Sequence, residues 1–322
     1  MRQSTVDLRG HKRHDGIDTL LERDVVLKCL KCGKSGLERD AAGWKCSACT
    51  ATYPIVKGVG RFVSSQHYVG SFGFQWNTFA QSQLDSANGT TRSRDMFVEK
   101  TGFPLETLDG ARVLDAGCGM GRFAEVCIHA GADVHAIDLS TAVEAAARNL
   151  GHHPNATFYQ ADIMNLPFAD ATFDVVYSIG VLHHTPDTRK AFLSLTRLVK
   201  PGGRIAIWVY STKLRLMFGG ELLRLVTPHL PKPLLLRASR LAIPLYHLHR
   251  LPVFGKLTTA VFPTSLNPDP EWRWLDTFDW YSPRYQWKHS YQEVEGWFRE
   301  AGLADIRREA FPVSVRGVRR AA

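Results

Sequence analysis

The sequence predicts an α/β protein built on a doubly wound, mostly parallel sheet, and three observations carry that expectation. Short apolar runs recur between residues 113 and 207, each followed by apolar positions at helical spacing, the alternation that a parallel sheet requires. The first run, Val113-Leu114-Asp115-Ala116, ends in an acid and opens onto glycines at alternate positions, Gly117, Gly119 and Gly121, ahead of the helical pattern that begins at Arg122. The second, Val134-His135-Ala136-Ile137, ends in the carboxylate of Asp138.

At 322 residues the chain exceeds one average domain and can bury a substantial core. Residues 1–24 are polar, charged and without periodicity, and are expected to be mobile. No segment reaches the roughly eighteen uninterrupted apolar residues of a membrane span, and the N-terminus carries no secretory pattern, so the expected location is the cytoplasm.

Residues 25–63 hold four of the six cysteines, as Cys29-x-x-Cys32 and Cys46-x-x-Cys49. Each short knuckle lets two thiolates point at one ion, and the thirteen residues between the knuckles suffice for a hairpin, the spacing of a zinc ribbon. Two disulfides are disfavoured in a reducing cytoplasm, and a redox pair lacks its βαβ context. Four thiolates close the coordination sphere, so the expected zinc is structural. Of the other two cysteines, Cys118 lies in the glycine turn and Cys127 on an apolar helical face, where it is expected to pack.

The turn at 117–121 reads as a strand, a tight bend and a helix N-terminus, an arrangement that receives a nucleotide-like ligand. Asp138 is placed to accept hydrogen bonds from a ribose diol. The glycines do not follow Gly-x-Gly-x-x-Gly, no Gly-Lys-Ser/Thr follows the turn, and Gly33-Lys34-Ser35 lacks the leading glycine five residues earlier, which excludes a P-loop.

With its acid and its cysteine, the run Asp115-Ala116-Gly117-Cys118-Gly119-Met120-Gly121 resembles the first motif of the class I S-adenosylmethionine-dependent methyltransferases. Four further stretches fall in that family's order. They are Phe158-Tyr159-Gln160-Ala161-Asp162-Ile163 with Leu166-Pro167-Phe168, Phe173-Asp174-Val175-Val176-Tyr177-Ser178 running into the loop 179–184, Lys200-Pro201-Gly202-Gly203, and residues 293–303. The resemblance implies a Rossmann-like, seven-stranded sheet over residues 64–322 with S-adenosylmethionine as cofactor. By position it implies a cofactor site of Asp115, Gly117, Cys118, Gly119, Gly121, Asp138, Leu139, Ala161, Asp162, Ile163 and Ser178, with Asp162 at the adenine amino group. In this fold the loop after the fourth strand faces the methyl group, which makes His183 and His184 the candidate bases, or else elements that shape the site. No Asn-Pro-Pro-Tyr or Asp-Pro-Pro-Tyr follows that strand, which disfavours exocyclic amines as acceptors.

Two additions complicate the picture. The ribbon's exit, Tyr53-Pro54-Ile55-Val56-Lys57-Gly58-Val59-Gly60-Arg61-Phe62, resembles the tail of the small zinc-ribbon activators of tRNA methyltransferases, and the ribbon also resembles that of the rRNA guanine-N1 methyltransferases. Either it grips RNA or it buttresses the catalytic domain. The second addition is a leucine-rich insertion at 211–275. Residues 211–262 carry eight basic residues against the single acid Glu221, +7 of the chain's net +9, and prolines cut them into short helices. Apolar faces dotted with Lys and Arg suit an anionic membrane surface, and equally a cap with solvated charges. The position after the fifth strand favours a lid over an amphiphilic acceptor. The aromatic segment with Asp279, Tyr281, Tyr285 and His289 either lines the acceptor pocket or packs a loop. Phe72-Gly73-Phe74-Gln75-Trp76 is expected to open a helix that closes over the cofactor or packs by its aromatics.

The expectation is methyl transfer to oxygen or carbon of a small or lipid-like acceptor, in the cytoplasm or at the inner membrane face. The alternatives are an RNA base methyltransferase and a non-catalytic cofactor-binding module.

Overall fold

The computed structural model describes residues 25–63, 69–212 and 218–321. The expected mobile segment 1–24 lies outside these residues, as do Lys213 and Arg215 of the basic stretch. The strands are β1 (Glu38–Asp40), β2 (Gly43–Lys45), β3 (Thr52–Val56), β4 (Val59–Arg61), β5 (Arg112–Ala116), β6 (Asp133–Asp138), β7 (Ala156–Gln160), β8 (Phe173–Ile179), β9 (Val199–Trp208), β10 (Leu303–Arg308) and β11 (Ser314–Arg319).

Their spatial order is β1-β2-β3-β4-β7-β6-β5-β8-β9-β11-β10. From β4 across to β9 the pairs are parallel, and β11 runs antiparallel to both β9 and β10. The seven strands from β7 to β10 are the Rossmann-like sheet that the sequence predicts. Val113, Leu114 and Ala116 of β5 are fully buried, because helices cover both faces and a parallel strand must be apolar on each. Helices Arg92–Thr101, Arg122–His129 and Ala142–Leu150 fill one face, with Cys127 packed among them as expected. Helices Thr188–Thr196 and Tyr291–Glu300 fill the other. The order reverses at β5, which opens a crevice at the strands' carboxyl ends.

Residues 25–63 do not stand apart from this sheet. Strand β4 pairs in parallel with β7, Val59 opposite Phe158 and Arg61 opposite Gln160, so β1–β4 prolong the sheet at that edge. Trp44 reaches across to Tyr159 and Phe62, with ring centroids 6.0 and 5.5 Å away. It can do so because residue 60 is glycine: a Cβ there would lie 2.6 Å from the indole. Charge ties the same edge, through Arg61 and Lys57 to Glu144 at 2.7 and 2.8 Å and Lys28 to Asp170 at 3.0 Å.

After β9 come short helices, Phe218–Leu223, Lys232–Ser239, Ala242–His249 and Phe254–Val261, and then Pro270–Tyr281. The last runs past the expected insertion boundary at 275. Its start is sharp because Pro270 opens it and Asp269 accepts the backbone N–H groups of Glu271 and Trp272.

Candidate functional site

At the carboxyl ends of β5 to β9 lies a cavity of about 690 Å³, within the range of ligand sites. The glycine turn forms one wall. Helix Gly70–Thr78 and residues 259–267 of the insertion close over it, as Phe72, Gln75, Trp76, Thr259 and Thr264 all line the space.

Gly117 has φ +96°, and a Cβ there would stand 2.4 Å from the methyls of Val181. Only glycine holds that bend without displacing the loop that leads to the histidines. Gly119 donates its N–H to Asp138 Oδ2 at 3.0 Å, and Ser140 donates backbone N–H and hydroxyl to Oδ1 at 2.8 and 2.7 Å. The carboxylate is thereby aimed across the turn, while burial raises its pKa above the usual range.

Of the cofactor residues expected from the sequence, Gly117, Cys118, Gly119, Asp138, Leu139, Asp162 and Ile163 line the cavity. Asp115, Gly121, Ala161 and Ser178 are placed behind that surface. Ser178 donates its hydroxyl to the Ala116 carbonyl at 2.7 Å, pinning β8 to the end of β5. Gly121, at φ +98°, starts helix Arg122–His129 against Leu150. Ala161 is fully buried, and burial pushes the Asp115 carboxyl up to about 7.

The two histidines divide. His184 lines the cavity, and its Nδ1 lies 2.8 Å from the Tyr285 carbonyl oxygen. A carbonyl only accepts, so Nδ1 carries the proton and Nε2 keeps a lone pair. That nitrogen has no partner among the described residues, and burial holds the ring's pKa down to about 4. His183 is fully buried and stacks on Tyr210 at 3.9 Å; its Nδ1 accepts the Tyr210 backbone N–H at 3.3 Å. It shapes the site and does not reach the cavity.

The cavity is also lined by Lys100 and Arg122, which sequence reasoning missed, and by Asp279, which it named. Lys100 points its Nζ at the Trp208 ring, 3.4 Å from the centroid, and Arg122 lies over Trp272 at 4.9 Å. Asp279 accepts the Tyr210 hydroxyl at 3.1 Å, and burial with the nearby Asp276 charge pushes its carboxyl up to about 7. In the aromatic segment around it the roles differ. Tyr281 donates to the Pro263 carbonyl at 2.6 Å, Tyr285 supplies the carbonyl that orients His184, and His289 is engaged by Glu293 and Thr188 at 2.8 and 3.0 Å. Arg122 was legible as the first helical residue after the turn; Lys100 carried no signal.

In the ribbon the ligand atoms of Cys29, Cys32, Cys46 and Cys49 all lie within 4.8 Å of one another. Cys29 and Cys49 sulfurs are 3.4 Å apart, and those of Cys32 and Cys46 are 3.6 Å apart. Both are far from the roughly 2.05 Å of a disulfide and near the roughly 3.8 Å edge of a tetrahedron with Zn–S of about 2.3 Å. The two knuckles close alike: Gly33 donates its N–H to the Cys29 carbonyl at 2.8 Å, and Thr50 to that of Cys46 at 3.1 Å. The set fits a closed zinc site.

Residues 114–207, from β5 through β9, match the family described as Methyltransferase domain. They are the part of the Rossmann-like sheet that is similar to a methyltransferase domain. Over 119 residues the chain is 36% identical to the O-methyltransferase rstn1 of Aspergillus nomiae, covering 35% of this chain and 52% of that protein. Over 97 residues it is 40% identical to the malonyl-[acyl-carrier protein] O-methyltransferase of Pectobacterium atrosepticum, covering 30% of this chain and 38% of that one. The chain thus spans about half, or less, of the length of these relatives. A solved complex of the Haloferax volcanii Trm112 methyltransferase activator with a methyltransferase is similar at 15% identity and a TM-score of 0.46, covering 78% of this chain and 97% of that one. Among the described residues, no helix is long and apolar enough to cross a membrane. The methyltransferase domain therefore contributes the glycine turn and His184, while Lys100, Asp276 and Asp279 come from segments outside the match.

Proposed function

We propose that this protein transfers a methyl group from S-adenosylmethionine to oxygen or carbon of a small or lipid-like acceptor. One observation carries the reading: a single cavity joins the Gly117–Asp138–Asp162 cradle to a histidine whose free Nε2 is fixed by its own hydrogen bond. Bound S-adenosylmethionine supplies an electrophilic methyl at its sulfonium. The chain's part is positioning and proton removal. Asp138 receives the ribose hydroxyls, Asp162 the adenine amino group, and the turn the methionine end. His184 Nε2 takes the acceptor's proton, and its low pKa keeps it in the accepting form throughout neutral pH. The relatives' names as O-methyltransferases support oxygen.

Zinc on Cys29, Cys32, Cys46 and Cys49 serves structure in this reading. Of the seven basic residues in 25–63, Lys28, Lys57 and Arg61 are engaged with the methyltransferase domain and Lys45 with Asp40, which leaves Lys31 and Lys34 for RNA, with Arg39 held over the Trp44 ring. The insertion, by contrast, exposes Leu222, Leu225, Val253, Phe254, Leu257 and Phe262, with Arg237, Arg240 and Lys256 on the same segment. That pattern supports a lid that rests on an anionic membrane and admits a lipid-like acceptor. The test is calorimetry with S-adenosylhomocysteine followed by methyl transfer from labelled S-adenosylmethionine to a lipid extract and to RNA. His184→Gln is expected to lower kcat by about 10²–10⁴ with unchanged S-adenosylhomocysteine affinity. Labelling of RNA alone would replace this reading with the RNA one.

A further inference from the structure

Two cations that line the cavity, Lys100 and Arg122, make no contact ion pair among the described residues, although the Asp276 charge bears on both from a distance. Lys100, on helix Arg92–Thr101, is 3% exposed yet lines the cavity, and its Nζ sits 3.4 Å from the Trp208 ring centroid and 4.6 Å from that of Phe311. Among the described residues it makes no hydrogen bond and no ion pair. Arg122 gives one N–H each to Ser93 Oγ, Gln83 Oε1 and Met96 Sδ, at 2.9, 3.2 and 2.9 Å. A guanidinium has five N–H donors, so two remain for a ligand.

Two carboxyl groups of the cavity wall answer to other partners. Asp276 accepts the Ser265 hydroxyl at 3.0 Å and Asp279 that of Tyr210 at 3.1 Å, and neither lies within 4.0 Å of either cation. Burial pushes both carboxyls toward their neutral form and lowers the pKa of Lys100 well below the usual lysine value. An ammonium withdrawn from water with no carboxylate in contact is costly. At a cavity wall, a ligand that brings the charge removes that cost.

We propose that the acceptor carries a carboxylate, and that Lys100 with the two free N–H groups of Arg122 is its seat. The inference rests on the cavity being a methyl-transfer site and narrows the acceptor to an acid. A planar, two-oxygen anion offers one oxygen to the ammonium and the other to the guanidinium. Trp208, Phe311 and Trp272 give its remainder aromatic walls. A carboxylate could also come from the cofactor's own methionine end, and the experiment separates the two sources.

The full chain is saturated with S-adenosylhomocysteine and titrated with 4-phenylbutanoate and with 4-phenylbutanamide, a neutral probe of the same shape. Binding is read by calorimetry and by the fluorescence of the cavity tryptophans. The acid is expected to bind about ten-fold or more tighter than the amide. Lys100→Met should abolish that preference and leave S-adenosylhomocysteine affinity unchanged, while Lys100→Arg should restore part of it. Equal affinity for acid and amide in the unaltered chain overturns the proposal, and this comparison decides even where a variant fails to fold. A Lys100→Met chain that loses S-adenosylhomocysteine affinity instead assigns the cation to the cofactor's carboxylate and also overturns it. Absence of S-adenosylhomocysteine binding by the unaltered chain overturns the methyl-transfer reading beneath it.

Discussion

Two segments are added to the methyltransferase sheet, residues 25–63 at its β7 edge and residues 218–281 beyond its carboxyl ends, and they dispose of their apolar side chains in opposite ways. In the ribbon, Trp44, Tyr53 and Phe62 are buried in the same core as Ile137 of β6, Tyr159 of β7 and Phe168 of the loop that follows. In the insertion, Leu235, Leu236 and Phe278 pack inward, but Val253, Phe254 and Leu257 are 77%, 63% and 64% exposed along one helix and its lead-in. A segment whose apolar surface is consumed internally stabilises the fold. One that leaves it exposed beside a cavity mouth has surface available to a partner. The charges follow suit, since the ribbon's Lys57 and Arg61 pair with Glu144 on the helix Ala142–Leu150 and its Lys28 with Asp170 in the loop before β8.

The contrast is most exposed to test at the metal. Zinc binding by such sites contributes up to about 10–16 kcal/mol to folding. Replacing Cys46 and Cys49 by serine is therefore expected to remove one zinc per chain and to lower Tm by more than about 10 °C, as seen by elemental analysis and calorimetry. An unchanged Tm would mean that the ribbon folds independently of the sheet. Next, Trp44→Ala should cost about 3–5 kcal/mol in denaturant unfolding, whereas Leu257→Ala on the lid should stay within about 0.5 kcal/mol. Comparable losses at both sites would erase the distinction.

The lid has its own measurement. Sedimentation with anionic vesicles should weaken as salt rises, and Phe254→Ser with Leu257→Ser should reduce it about ten-fold or more, each buried side chain contributing about 1.5–3 kcal/mol. Vesicle binding that ignores both changes would detach the exposed face from any membrane role. The smallest effect concerns the helix that links lid to cavity. Burial, with the Asp276 charge, raises Asp279 from an ordinary 3.8 to about 7 in the folded chain. The folded state thus binds the proton more tightly than the unfolded one, and this contribution to stability is full below pH 3.8 and lost as pH rises through 7. Asp279→Asn does not titrate, so its Tm relative to the unaltered chain should climb by about 2 °C or more between pH 5 and pH 8; a flat difference would place the carboxyl in a wetter setting.

The parts of the site that were legible in the sequence share one property. The glycine turn, Asp138, Asp162 and the cysteine knuckles are each defined by neighbours a few residues away, and backbone sterics or ligand spacing restricts what such a pattern can do. The parallel strands and the helices between them were likewise legible in the alternation of apolar runs, while the seven-stranded arrangement came with the family resemblance. What was illegible depends on partners distant in the chain. His183 and His184 are adjacent and alike in sequence, and their roles separate because the Tyr285 carbonyl, 101 residues on, meets one ring while Tyr210 covers the other. Asp115, Gly121, Ala161 and Ser178 fell behind the cavity surface because packing turned them toward the helices and strands beneath the turn.

The sequence by itself determined the sheet, the glycine turn facing Asp138 and the four-thiolate cluster, since short-range geometry leaves those patterns few alternatives. Only the tertiary structure decided that the ribbon joins the sheet through β4 and β7, that the insertion roofs the cavity, and that Lys100 lines it with no carboxylate in contact among the described residues. Those outcomes depend on which buried surfaces meet, and a residue's burial and charge environment come from elements far away in the chain.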